Sequence, residues 1–115
     1  MDTVNKIKKD LSSVGMEKFS VDLKGYSDQA FGNYVAELSD GFEKIKLVSD
    51  RGQVFMEIWD SQKNQFTDCT DIFPDMEKVY TAKMNAAGLG EWTLEDLLKS
   101  YKANKKLSRP DDSTA

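Results

Sequence analysis

The sequence predicts an α+β fold: an antiparallel sheet of three to four strands, arranged as a meander and packed with an N-terminal helix and two C-terminal helices. Three observations carry this reading. Between Phe31 and Asp60, short runs of strand-forming residues are punctuated by Asp40-Gly41 and by Asp50-Arg51-Gly52. Asp-Gly between apolar runs is the strongest short hairpin signal, because a type I′ turn needs positive φ at both central residues. On either side of this stretch, apolar residues recur at helical spacing.

Taken in order, Val4, Ile7, Leu11 and Val14 form one stripe of a helix over residues 3–14, with Lys6, Lys8, Lys9 and Asp10 mostly on the other face. Asp2 or Thr3 can cap it and Gly15 can end it. A membrane-surface helix would need a stronger basic face and an aromatic on its apolar stripe; a helix covering the sheet is the expectation. Residues 16–24 fit two periods. Phe19, Val21 and Leu23 alternate with polar residues as in a strand, whereas Met16, Phe19 and Leu23 equally suit two helical turns; the reading leans to an extended segment, with Gly25 and Tyr26-Ser27-Asp28 as a connection.

In the meander, Tyr34, Ala36 and Leu38 share one face of the first strand, and Ile45 and Leu47 one face of the second, with Lys44 and Lys46 opposite. The third strand places Val54, Met56 and Ile58 on one side and Phe55, Glu57 and Trp59 on the other. It should be the most enclosed. Ser61 to Gln65 reads as a loop, and Phe66 to Phe73 as a short fourth strand before Pro74 opens a helix. The stripe of Met76, Val79, Tyr80, Lys83, Met84 and Ala87 continues that helix until Gly88 and Gly90 stop it. Thr93 and Asp96 form a capping-box variant for the last helix, whose buried side is Leu94, Leu97, Leu98 and Tyr101. Beyond Asn104 the periodicity is lost. The expected organisation is one domain over residues 1–105 and a flexible tail over residues 106–115.

Composition narrows the function. A chain of 115 residues closes one core. Its 20 acids and 16 bases give a net charge of −4, which disfavours nucleic acid as a direct ligand. There is no run long enough for a membrane span, and the charged opening MDTVNKIKKDLSSV has no signal-peptide core, so the expected compartment is the cytoplasm. Cys69 has no partner for a disulfide or a CxxC site and reads as a small buried hydrophobe. The absence of histidine removes the commonest general base and metal ligand, and no glycine-rich phosphate cradle occurs. Carboxylate pairs arise by chance among so many acids. The expectation is a non-enzyme with no cofactor and no metal.

Local charge stands out. Glu57, Asp60, Asp68, Asp71, Asp75 and Glu77 lie in one window with Lys63 as its only base, whereas Lys99 to Arg109 holds five bases and no acid. A solvated surface explains such charges as well as a site does. As a site, the acids would steer a basic partner and Trp59 and Phe66 would anchor it. The candidate partner-binding residues are therefore Glu57, Trp59, Asp60, Phe66, Asp68, Asp71, Asp75 and Glu77. Nucleases are partners of this kind, since their own clefts are positive.

The segments GNYVAELSDG and IKLVSDRGQVFMEIW, within Gly32–Trp59, resemble a pattern in small bacterial immunity proteins of polymorphic-toxin and contact-dependent growth inhibition systems; they span about a quarter of the chain. The resemblance implies a small cytoplasmic α+β domain that binds one cognate toxin domain, 1:1, and occludes its active cleft or an exosite. Such proteins share neither catalytic nor contact residues, so no site position is carried over. The alternative expectation is a regulatory or scaffold module that uses the meander's free edge for dimerisation or strand addition.

Overall fold

The computed structural model describes residues 2–27, 33–82 and 91–108. Its order is α1 (Asp2–Ser13), β1 (Ser20–Ser27), β2 (Asn33–Ser39), β3 (Lys44–Asp50), β4 (Gln53–Asp60), β5 (Gln65–Asp68), α2 (Cys69–Ile72), a 3₁₀ turn (Pro74–Met76), α3 (Glu77–Ala82) and α4 (Leu94–Ser108). The strands form one antiparallel sheet in sequence order, β1-β2-β3-β4-β5. The α+β class and the meander are as expected; among the described residues the sheet has five strands, not three to four.

The additional strand is β1. The segment read as a connection, Gly25 to Ser27, continues it past a bulge at Lys24, where the register with β2 shifts between Leu23 and Gly25. One extra residue lets a strand bend and resume pairing, a device invisible to a period-2 reading. At the other edge, β5 is shorter than the expected Phe66–Phe73. The Asp68 carboxylate accepts from the Thr70 N–H at 2.9 Å and so caps α2, turning Cys69 to Ile72 into helix.

α1 ends as its sequence dictates. Gly15 has φ +77°, Met16 N–H donates to Leu11 O at 2.8 Å and Gly15 N–H to Ser12 O at 3.1 Å, the paired bonds of a Schellman motif. Lys102 Nζ donates to Val14 O at 2.7 Å and ties this end to α4. The Thr93–Asp96 capping box forms in both directions, at 2.9 and 3.1 Å. α4 then runs through Lys105, Lys106 and on to Ser108, past the expected boundary of the tail. Two cations in the last turn favour the helix C-terminus, and the Lys105–Glu43 ion pair at 2.7 Å holds it to the sheet. The rest of the tail, like the Lys83 to Gly90 part of the preceding stripe, lies outside the described residues.

The two hairpin signals behave differently. Arg51 (φ 55°) and Gly52 (φ 82°) both adopt positive φ between paired Asp50 and Gln53, the two-residue I′ geometry. At Asp40-Gly41 only the glycine does; the Asp40 carboxylate instead accepts from the N–H groups of Phe42 and Glu43 at 2.9 and 2.7 Å, making a longer connection. These bonds to the charged form hold Asp40 below the usual carboxylate range against the burial that opposes them.

All the helical segments cover one face. There Ala36, Leu38, Ile45, Leu47, Met56 and Ile58 meet Ile7 and Leu11 of α1, Met76, and Leu97, Leu98 and Tyr101 of α4. Leu38, Ile45, Leu47, Leu97 and Leu98 are fully buried; each such side chain contributes about 1.5–3 kcal/mol. Thr67 on the same face is 8% exposed and its hydroxyl has no hydrogen-bond partner. Thr67→Val should therefore raise stability by about 1 kcal/mol in urea denaturation; a loss would show that the hydroxyl is satisfied in solution.

Buried Cys69 lies 3.4 Å from the Tyr80 hydroxyl. Burial pushes its thiol from 9.0 up to about 11 and the half-buried Tyr34 phenol from 10.0 up to about 12. The folded chain thus keeps protons that the unfolded chain releases. Stability is complete below about pH 9 and declines as pH rises from there through about 11 to 12, with Cys69 alone costing about 2 kcal/mol by pH 11. Urea midpoints across this range check the slope, and a flat profile to pH 11 would contradict it.

Candidate functional site

Because strand side chains alternate, the same register that builds the core composes the sheet's other face. None of the described residues on that outer face is buried. Four rows cross it, the outermost being the polar one of Asn33, Asp50 and Gln53 at the Arg51-Gly52 turn; the other three concern the site. The middle row runs over all five strands: Asp22 opposite Glu37, Glu37 opposite Lys46, Lys46 opposite Glu57, Glu57 opposite Asp68. On one side lies an apolar row, Val35, Val48 and Phe55, the last 39% exposed. On the other lie Lys44, Trp59 and Phe66.

The aromatic row is defined by contact. Trp59 and Phe66 pack edge to face with centroids 5.2 Å apart. The Lys44 ammonium sits 5.2 Å from the Trp59 ring centroid and Lys46 5.8 Å from that of Phe66. Lys46 also reaches Glu57 at 4.0 Å, a long and half-exposed ion pair.

In the charged row, carboxylates face each other twice, Asp22 across from Glu37 and Glu57 across from Asp68. Like charges directly opposite on adjacent strands destabilise a sheet. At the first pair Lys24 bonds Asp22 at 2.9 Å, and its ammonium is held above the ordinary value by that hydrogen bond and by the charges of Asp22 and Glu37. At the second, Lys46 approaches Glu57 alone. Replacing Glu57 with threonine should therefore raise stability by about 0.2–1 kcal/mol, read as a higher urea midpoint. A drop would mean that Glu57 belongs to the scaffold.

The structure thus divides the acidic window. Glu57, Trp59, Phe66 and Asp68 come together on the outer face. Asp60 turns the other way and caps the β4–β5 turn, accepting from Gln62 and Lys63 N–H at 3.0 and 3.3 Å. Asp71, Asp75 and Glu77 are exposed on the helical segment that packs through Cys69 and Met76 into the covered side, with Asp75 3.8 Å from Lys78. Sequence reasoning missed Asp22, Glu37, Lys44 and Lys46 as members of the same face. Only cross-strand register reveals them.

Trp92 was missed as well. β5 pairs with β4 only from Glu57 onward, and no other described strand pairs with the edge at Val54–Met56. The Trp92 indole donates to Val54 O at 2.6 Å, and Met56 N–H reaches the Tyr80 hydroxyl at 3.5 Å. Phe55, Tyr80 and Trp92 stack around this closure at 4.7–6.0 Å.

A cleft of about 560 Å³ lies elsewhere, between the end of α1, the β2–β3 turn and α4, beside Phe42, which is 92% exposed. Four of its six charged lining groups are spent within the fold: Glu43 accepts from Tyr101 and Lys105, Asp40 caps the turn, and Lys102 binds the end of α1, whereas Glu17 and Lys18 are exposed. Among the described residues, no group of three or more acids or cysteines is placed to hold a metal ion, and no helix is long and apolar enough to cross a membrane. Compared with family models, with curated proteins and with solved structures, the chain matches none.

Proposed function

We propose that this protein is a binding protein whose outer sheet face docks a basic protein partner, and that the partner is a toxin domain, in the first instance a nuclease, which it neutralises by covering the active cleft or a neighbouring exosite. The observation that carries the reading is the row of four carboxylates and one lysine across the sheet, flanked by a half-buried aromatic pair and an apolar row. Carboxylates raise the association rate of a cationic partner, while Trp59, Phe66 and Phe55 supply area to desolvate. The row is not complementary to itself, which favours a different chain over a second copy. The immunity role further rests on the resemblance of the Gly32–Trp59 segments.

The sheet-edge alternative has less support. β1 is bulged and charged at Lys24, β5 has four residues, and the open end of β4 is closed by Trp92 and Tyr80. Each is a known way of blunting a strand edge.

Affinity capture with the tagged chain, followed by separate expression of what it retains, tests the function. The expected outcome is a single stoichiometric partner with a basic domain that arrests growth alone and is silenced by co-expression. Recovery of only the chain itself, or of an acidic and harmless partner, would overturn the proposal.

A further inference from the structure

The aromatic pair of the outer face already holds two cations, both from strand β3 of the same sheet. Lys44 covers Trp59 and Lys46 covers Phe66 while leaning toward Glu57 at 4.0 Å. We infer that Trp59, Phe66, Glu57 and Asp68 form a receiving site for an arginine side chain of the partner, which Lys46 occupies until the partner's guanidinium displaces it. This inference rests on the docking-face reading above and names the partner's contacting group.

The chemistry favours arginine over lysine. Glu57 and Asp68 are direct cross-strand neighbours, so their Cβ atoms stand about 4.5–5.5 Å apart. A planar fork can bond both carboxylates at once and lay its face on a ring; an ammonium is a point charge and a strongly hydrated one. Lys46 makes only one long contact with Glu57 and none with Asp68. It leaves Glu57 weakly paired, which suits a group that is to be exchanged; Asp68 Oδ1 accepts from the Thr70 N–H and hydroxyl at 2.9 and 2.8 Å, so Asp68 would meet the incoming fork with its other oxygen. The row is asymmetric in this respect. Lys24 bonds Asp22 at 2.9 Å at the β1 end, so the opening for an incoming cation is at the β4–β5 end.

The test is a titration of the full chain with blocked tetra-arginine and tetra-lysine peptides at low ionic strength, followed by NMR at the Trp59 indole and the β4 and β5 amides. Wild type should bind the arginine peptide more tightly. Lys46→Thr should raise the arginine-to-lysine affinity ratio by a further factor of about 2–5, the effect of removing a competing exposed cation–π contact. Lys24→Ser, which makes the same charge change at the other end of the row, should leave that ratio unchanged. General electrostatics acts on both peptides alike and cancels in the ratio. Lys46→Gln repeats the measurement should the threonine variant fold poorly. An unchanged ratio in the Lys46 variants, with shifts still on the outer face, would overturn the arginine site and leave the docking face standing. Absence of outer-face shifts with either peptide would overturn both.

Discussion

Replacing Trp92 with alanine is expected to cost about 3–5 kcal/mol. The side chain is 7% exposed, packs against Tyr80 and Phe55, and donates the 2.6 Å bond that satisfies Val54 O at an edge no described strand reaches. A domain of this kind is stable by about 5–15 kcal/mol in all. Much of that margin would go, and the uncovered edge would make the variant prone to associate. Trp92→Phe separates the two roles: it keeps an aromatic ring and loses the donor, so the expected loss is about 1–3 kcal/mol. Urea denaturation of the two variants checks this. Equal, small losses in both would mean that the edge is held by something other than Trp92.

Glu57→Lys is expected to have the largest effect on function. It reverses the charge at the centre of the β4–β5 pair and sets a second lysine across from Lys46. Association with a basic partner should slow by about 10–100-fold at low ionic strength. The difference should shrink as salt screens the approach. Folding should change by no more than about 0.5 kcal/mol, because the side chain is half-exposed and its present neighbour Asp68 is also an acid. Together with a gain in stability for Glu57→Thr, that outcome would place the residue with the binding surface and not with the scaffold. A normal association rate for Glu57→Lys would remove the charged row from the interface.

The parts of the fold written in local pattern were legible. The helical stripe and glycine stop of α1, the Arg51-Gly52 turn, the Thr93–Asp96 box and the inner faces of β2, β3 and β4 each depend on residues within a few positions of one another. What depends on distant pairing was not. The bulge at Lys24 exists only relative to β2, and the role of Trp92 only relative to Val54. The acidic window is continuous in sequence and divided in space. Proximity along the chain grouped Asp60, Asp71, Asp75 and Glu77 with Glu57 and Asp68, whereas the sheet groups Glu57 and Asp68 with Asp22, Glu37 and Lys46. Asp60 and Asp68 also cap local backbone, a use that any aspartate at a turn or helix start can have.

The central claim is that the outer face, and not an edge or the cleft beside Phe42, meets the partner. Hydroxyl-radical footprinting of the captured complex against the free chain tests it most directly, because aromatic side chains report each surface separately. Trp59, Phe66 and Phe55 should lose reactivity on binding while Phe42, at 92% exposure, keeps its own. Protection of Phe42 with Trp59 and Phe66 unchanged would place the partner at the β2–β3 turn and contradict the account.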